Sequence, residues 1–428
     1  MDITEVYQYF KACTGISTDT RNILPGNLFF ALKGPNFDGN TYAVKALDQG
    51  ATYAIVDSWE SAEKVPGILQ VPDVLKVLQA LASHHRKVLK TPLIAITGSN
   101  GKTTTKELFK EVLQTRFTVL ATQGNLNNHI GVPLTLLKLK PETDVGIIEM
   151  GANHKGEIKA LCAIATPDWG YITNFGKAHL EGFGSLEGVI EGKSELYHYL
   201  KASNGKIIIN GDDPIQLKLN PEAATISFGK KNTCNHPFEE ITTPKNEILL
   251  KNNETLYSSS LYGKYNIPNI AAAITIGEIF NVPKTLIQKG IQQYKPENNR
   301  SQIVTKEDIS IVLDAYNANP TSVKAALNSF LEGEENDKKV ILGDMLELGA
   351  FSKREHQKIV QMCSESNLTE IFIVGKHFCD TLSEDSRVTK FKTTLDLINH
   401  LKRHPIRCDK VLIKGSRGMA LEKIIPFL

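Results

Sequence analysis

Seven residues constrain this chain more than any others. Thr97-Gly98-Ser99-Asn100-Gly101-Lys102-Thr103 directly follow an apolar run, Leu93 to Ile96, and open a helical stretch from Thr104 to Leu113. A strand that ends in glycines and passes into a helix is built to cradle phosphate. The glycines let backbone N–H groups wrap phosphate oxygens, the helix N-terminus adds positive potential, Lys102 reaches the terminal phosphates and Thr103 can ligate Mg²⁺. The strict pattern also wants a glycine five residues before Gly101, where Ile96 stands, so the loop is a shortened form. A glycine-rich turn capping an ordinary helix is the plainer reading, but it leaves the coincidence of strand, Lys-Thr pair and helix unexplained. Lys102 is expected to be a solvated loop residue.

Short apolar runs alternate with amphipathic stretches on both sides of this loop, as in Val145 to Ile148 further on, which reads as βαβ units and a parallel sheet. A second series, Ile309 to Leu313, Val340 to Leu342, Ile371 to Val374 and Val411 to Ile413, repeats the rhythm. The first ninety residues stand apart, with strand-like Leu28 to Leu32 and Tyr53 to Val56 and a helix from Val74 to Lys90. At 428 residues the chain has room for about three domains. The expectation is α/β throughout: a small N-terminal α/β domain over 1–90, a central P-loop-type parallel sheet with helices over 91–297, and a C-terminal Rossmann-like α/β domain over 298–428. Polar, turn-prone Lys295 to Asn299 is the candidate hinge into the third.

Charge and cysteine usage narrow the partners. With 49 basic against 47 acidic residues, a net charge of +2 leaves no electrostatic footprint for nucleic acid or an acidic membrane. The six cysteines are scattered without a C-x-x-C pair, and no basic-then-apolar leader opens the chain. A cytoplasmic protein without disulfides, structural zinc or membrane insertion is expected.

Chemistry-bearing residues gather at predicted strand ends. Glu149, in Glu149-Met-Gly-Ala-Asn-His154, closes the strand after the loop, where an open parallel sheet presents its ligands, and a carboxylate suits Mg²⁺. Taken alone, such a glutamate is more often a cap or a surface acid. Thr173-Asn174, then Ala178 to Gly184 with His179, then Glu191 to Glu195 with Lys193, follow a further strand. A lone histidine or lysine there is structural by default. Beside the loop and Glu149 they suggest a two-metal phosphoryl site.

Several of these strings carry a family resemblance. TGSNGKTTTKE from Thr97, GNLNNHIGVPLTLL from Gly124 to Leu137, EMGANHKGEI from Glu149, TNFGKAHLEGFGS from Thr173 and EGKSEL from Glu191 resemble, in order, the motifs of the Mur ligases, which build the peptidoglycan stem peptide. Tyr265-Asn-Ile-Pro-Asn269, Asn299-Arg300 and Asp314-Ala-Tyr-Asn-Ala-Asn-Pro320 continue the series, so nearly the whole chain is covered. Ser17-Thr-Asp-Thr-Arg21, Pro25 to Gly34 and Asp38-Gly39 look like the uridine-nucleotide-binding domain of two branches of that family. DAYNANPTSVKAAL, GDMLELG and KGSRGMALE resemble the branch that adds D-alanyl-D-alanine to UDP-N-acetylmuramoyl-tripeptide. The Tyr-Ala-His-Thr-Pro and Asn-Pro-Arg strings usual in the diaminopimelate-adding branch are missing.

The resemblance implies an ATP- and Mg²⁺-dependent ligase acting through an acyl phosphate, with small-molecule substrates and a monomeric state. It implies that Gly98, Asn100, Gly101, Lys102, Thr103 and Thr104 hold ATP, with Asn266 and Asn269 at the base, Arg300 at the phosphates and Asp314 at the ribose. Thr103, Glu149, His179 and Lys193 would serve the metal, Lys193 as a carbamate. Lys102, His179, Lys193 and Arg300 would be the catalytic set. Substrate contacts would fall to Ser17, Asp19, Arg21, Asn125, Asn127, Asn128, Asn317 and Arg417. The family often has histidine where this chain has Tyr265. Plainer readings stand beside these: Asn125, Asn127 and Asn128 as turn formers, Gly415 to Gly418 as a loop, Lys231 to Lys251 as surface, His84-His85 as helix surface, Lys193 as a surface lysine.

Two other classes share part of the pattern. A P-loop kinase or GTPase would use the loop without an amine-dependent step, and a silent nucleotide-binding relative would have no need of Lys102, Glu149, His179, Lys193, Arg300 and Asp314 together. Folylpolyglutamate synthase is a more distant alternative, disfavoured by the N-terminal domain.

Overall fold

The computed structural model describes residues 1–59, 65–220, 225–241 and 247–428. Among these residues the N-terminal sheet has four parallel strands, Gly15–Ser17, Asn27–Phe30, Tyr53–Val56 and Ile68–Gln70, in that order. Asn27–Phe30 is buried on both faces, which is why it reads as a continuous run rather than an alternation. Helix Val74–Leu89 follows; the Asp73 carboxylate accepts from the Lys76 N–H at its start, and Lys90, left-handed at φ 54, ends it before Thr91-Pro92.

That helix lies against the central domain. Leu78, Leu81 and Ala82 share one apolar cluster with Val132, Leu136 and Leu161. His85, expected on the helix surface, is buried instead, because positions 78, 81, 82 and 85 fall on one helical face. Tyr7 Oη lies 3.1 Å from its Nδ1 and the Leu139 carbonyl 2.9 Å from its Nε2. Burial pushes its pKa down. Arg86 beside it donates to Asp168 at 2.8 Å, and the same carboxylate oxygen takes the Leu93 N–H at 2.8 Å.

Among the described residues the central sheet has seven parallel strands, ordered His236–Pro237, Thr225–Gly229, Lys206–Asn210, Trp169–Ile172, Leu93–Thr97, Val145–Glu149, Val119–Ala121. The Leu93–Thr97 strand therefore runs between the two strands ending in Ile172 and Glu149, and the pairings Ile172 with Thr97 and Ile96 with Glu149 bring three carboxyl ends level. Ile96, where a strict phosphate loop would have glycine, is a buried strand residue. The stretch Lys231 to Lys251, expected at the surface, contributes Phe238, Ile248 and Leu250 to the core beneath helix Ile267–Ile279. Ile248 and Leu250 alternate inward along an antiparallel strand, while residues 242–246 lie outside the described set.

The C-terminal sheet has six strands among the described residues, ordered Gln302–Lys306, Ile309–Asp314, Lys410–Lys414, Lys338–Gly343, Glu370–Val374, Val388–Phe391. Only the first pairing is antiparallel. Between helix Lys284–Gln293 and this sheet, Asn298, Asn299 and Ser301 all take positive φ, at 59°, 59° and 50°. No helix of the described residues is long and apolar enough to cross a membrane.

Candidate active site

Gly98 and Gly101 make the loop possible. Gly98, at φ 141, runs so close to Thr173 that a Cβ would sit 2.0 Å from its Oγ1; Gly101, at φ 78, faces Asn269 Oδ1, 2.8 Å from where a Cβ would be. The neighbouring strand end ties the loop down, since Asn174 Oδ1 accepts the Asn100 N–H at 3.1 Å and Asn174 Nδ2 donates to the Asn100 carbonyl at 3.0 Å. The positive φ of Gly101 turns the chain straight into helix Lys102–Leu113. Lys102 is thus the first helical residue, half-buried, rather than a solvated loop residue. Its Nζ folds back onto the Gly98 carbonyl at 2.7 Å. Burial lowers its pKa; the charge of Glu149 opposes that and Arg300 adds to it.

Glu149 is 2% exposed and held from several sides. Its Oε2 accepts from Thr103 Oγ1 at 2.9 Å and its Oε1 from Asn127 Nδ2 at 2.8 Å. Fully buried Lys106 lies 4.0 Å from Oε2 and donates to the Thr122 carbonyl at 2.6 Å. Among the described residues no group of three or more His, Cys, Asp and Glu side chains is arranged to hold a metal ion by itself. A hydroxyl and one carboxylate side by side suit Mg²⁺, which shares its shell with water and substrate phosphates rather than filling a protein cage.

The C-terminal domain supplies the facing wall. Asp314 and Lys414, partners across two parallel strands, form an ion pair at the sheet's carboxyl edge, and Asp314 Oδ1 also takes the Ser301 N–H at 3.1 Å. The Arg300 guanidinium lies over the Tyr316 ring, 3.5 Å from its centroid. Tyr265 reaches over the joint so that its hydroxyl meets Ser301 Oγ at 2.8 Å. Asn266 and Asn269 line the cavity with partly engaged amides: Asn269 Nδ2 donates to Asn266 Oδ1 and its Oδ1 accepts from Thr105.

One cavity of about 860 Å³ joins these walls. Of the residues singled out from sequence it brings together Asn100, Gly101, Lys102, Thr103, Thr104, Asn125, Asn127, Asn128, Glu149, His179, Asn266, Asn269, Arg300, Asp314 and Asn317. Gly98, within the loop, is buried and does not line the cavity. Asn128 also acts as a turn former, its Oδ1 taking the Ile130 and Gly131 N–H groups. Lys193, which an ordinary reading puts at the surface, is 1% exposed in helix Leu186–Ala202; its Nζ donates to the carbonyl of cavity-lining Ala152 at 3.0 Å. Burial, then the charge of Lys102, drives its pKa well down.

Ser17, Asp19, Arg21 and Arg417 stand off this cavity. Asp19 is clasped by the exposed Arg21 guanidinium, which holds its carboxyl down at about 2, and Ser17 Oγ donates to the Asp19 carbonyl. Arg417 is exposed, 3.5 Å from Glu422 and 6.0 Å from the Tyr316 ring centroid. Sequence reasoning gave no role to Lys106, Tyr316, Asn319, Glu347 or Lys414. Asn319 had a signal, since an Asn-Pro-x-Ser start is a helix cap; it caps Pro320–Leu331 through Ser322 and its Nδ2 also donates to Asn100 Oδ1 at 2.6 Å. Three further contacts close the wall. Lys177 pairs with Glu355 at 3.0 Å, Lys177 N–H meets Thr321 Oγ1 at 3.0 Å, and His179 Nδ1 lies 2.5 Å from Glu347 Oε2.

Known proteins share this layout. Family models described as Mur ligase family, catalytic domain; Mur ligase middle domain; and Mur ligase, glutamate ligase domain match residues 12–86, 96–277 and 299–417. UDP-N-acetylmuramoyl-tripeptide–D-alanyl-D-alanine ligase of Bacillus subtilis (strain 168) is 36% identical, the match covering 97% of this chain and 93% of that protein. Its namesake in Escherichia coli (strain K12) is 33% identical over 96% and 93%. Among solved structures, MurF from Acinetobacter baumannii superposes with a TM-score of 0.88 at 30% identity, covering 99% of this chain and 97% of that one. MurF ligase from Thermotoga maritima in complex with ADP gives 0.85 at 25% identity, covering 98% and 97%.

Proposed function

The chain belongs to the Mur ligase family, and from that premise we propose that it joins D-alanyl-D-alanine to UDP-N-acetylmuramoyl-tripeptide in peptidoglycan precursor synthesis. It is an ATP-dependent, ADP-forming ligase. One observation carries this reading: the phosphate loop and the Arg300 and Asp314 wall face each other across a single cavity, so a nucleotide held there is gripped by two domains. In the reaction the tripeptide carboxylate attacks the γ-phosphorus, ADP leaves, and the dipeptide amine displaces phosphate from the acyl phosphate through a tetrahedral intermediate. Such chemistry asks for positioning and charge stabilisation more than for a protein nucleophile.

Residue roles follow from place. Gly98 to Thr104 hold the phosphates, with Lys102 swinging from the Gly98 carbonyl to a phosphate oxygen. Asp314 takes the ribose, Asn266 and Asn269 the base, and Arg300 the phosphates. Thr103, Glu149 and His179 would hold Mg²⁺, which would supply charge neutralisation at the phosphates. Lys193 would serve this site as a carbamate, because an ammonium would repel the metal and burial favours the neutral amine that adds CO₂; a free lysine on the γ-phosphate is the alternative. Residues 1–90 hold the uridine nucleotide around Ser17, Asp19 and Arg21, Asn125, Asn127 and Asn128 face the tripeptide, and Asn317 and Arg417 in 298–428 face the dipeptide. The central domain, 91–297, carries the phosphate site. The protein works as a monomer in the cytoplasm, where the nucleotide precursors are.

A substrate-omission assay with mass detection tests the reading. Pentapeptide nucleotide should form only with tripeptide nucleotide, ATP and D-Ala-D-Ala together. ADP release undiminished by leaving out the amine would instead indicate a kinase or GTPase.

A further inference from the structure

Two carboxylates from the C-terminal domain meet two basic side chains of the segment after the Trp169–Ile172 strand. Glu355, on helix Ser352–Ser364, is almost fully buried against Lys177. Glu347, in the turn after the Lys338–Gly343 strand, reaches His179. The contact is built from both sides in backbone conformations that residues with side chains rarely adopt: His179 has φ 52 and Glu347 φ 62. The Glu181 N–H donates to the Glu347 carbonyl at 3.1 Å, so the two turns are joined main chain to main chain as well. The turn is itself anchored, since Leu346 N–H donates to Ser416 Oγ at 2.9 Å and Met345 N–H to buried His356 Nε2 at 3.0 Å.

His179 has two ring nitrogens with different surroundings. Nδ1 is shielded from solvent; the Glu347 carboxylate, 2.5 Å away but not aligned as a hydrogen bond to it, is its close polar neighbour among the described residues. The ring also lines the cavity beside the phosphate loop. A carboxylate that accepts from Nδ1 would fix the proton there and leave Nε2 as the lone-pair donor, and Glu347 is close enough to do so after a small turn of the ring.

We propose that Glu347 is a positioning residue for His179, delivered by the C-terminal domain, so that His179 takes its working tautomer and orientation only when that domain is docked. This rests on the ligase reading above and gives domain docking a chemical consequence within the central domain. Lys177 and Glu355 hold the docking, so substitution of Glu347 leaves the domains together.

The test compares wild-type, Glu347→Ala and Glu347→Gln proteins. With ADP and Mg²⁺ bound, ¹⁵N-histidine NMR, assigned with His179→Gln, should show His179 protonated on Nδ1 in the wild type and in a tautomer mixture in Glu347→Ala. The alanine variant should lose about 10–100-fold in kcat, the usual cost of removing such a partner, with KM for ATP nearly unchanged. Glu347→Gln, whose amide oxygen can still accept from Nδ1, should recover much of that loss. An unchanged kcat in Glu347→Ala, or a lower kcat with an unchanged tautomer, overturns the inference. A wild-type protein that fails to ligate would strike the proposed reaction instead, and the tautomer comparison, which needs no turnover, still decides the role of Glu347.

Discussion

Lys106→Met would expose how much the site leans on a lysine that never meets solvent. Lys106 is fully buried, donates to the Thr122 carbonyl at 2.6 Å, lies 2.9 Å from Glu107 Oε1 and is 4.0 Å from Glu149 Oε2. Thr122 in turn takes the Glu149 N–H on its hydroxyl at 3.0 Å, so one ammonium braces both the strand end and the carboxylate. Methionine keeps the stem and removes the charge. The lost bond from a charged donor is worth about 1.5–3 kcal/mol. Glu149 also loses a cation, at about 4 kcal/mol gross for a pair near 4 Å at an effective dielectric of 20, much of it offset because the lysine is no longer desolvated. A net loss of about 3 kcal/mol should lower the melting temperature of a domain of this size by roughly 6–12 °C. Thermal melts of Lys106→Met, Glu149→Gln and the double variant provide the measurement. The double variant should cost less than the sum of the singles by at least about 0.5 kcal/mol. A Tm drop below about 2 °C, or strict additivity, would refute the reasoning.

Three other outcomes follow. Lys102→Ala should lose at least about 10²–10³ in the rate of ADP release, as for removal of a transition-state donor, while its melting temperature stays put; normal turnover in the folded variant would remove the phosphate-site reading. Lys193→Ala should lose most activity and regain part of it with a short carboxylic acid in the buffer. ¹³C-bicarbonate NMR should show a carbamate in the wild type, and a free ammonium in fully active enzyme rules that out. His85 and His356 both have pKa values lowered by burial. The unfolded chain takes up protons near pH 6.5 that the folded chain refuses, so stability is intact above that pH and falls on acidification below it. The melting temperature should drop between pH 7.5 and 5.5, less so in His85→Gln, and a flat profile contradicts the assignment.

Legibility tracked distance along the chain. The loop from Thr97 to Thr103 was readable because strand, glycines and helix lie within a dozen residues, and only the helix start was placed two residues late, since the turn at Gly101 hides in a backbone angle. Glu149 and Asn174 were placed correctly at strand ends, though nothing local says that their strands flank Leu93–Thr97 on either side. The Asp314–Lys414 pair depends on the register of two strands a hundred residues apart, and Glu347 meets His179 only through packing of separate domains. His85 was legible and missed: Leu78, Leu81 and Ala82 already mark the helical face it belongs to.

The helix Val74–Leu89 bears on how this protein can be taken apart. It precedes the boundary near residue 90, yet side chains far beyond that point complete its apolar face. Cutting there would split a core rather than a linker, baring Leu78, Leu81 and Ala82 on one fragment and Val132, Leu136 and Leu161 on the other. The Arg86–Asp168 pair and the Tyr7–His85–Leu139 chain would be severed as well. For a chimaera, the transplantable block is the first two domains together. The third, attached through the left-handed residues Asn298, Asn299 and Ser301, meets that block at Lys177–Glu355, Asn100–Asn319 and Tyr265–Ser301, so a replacement must keep those partners.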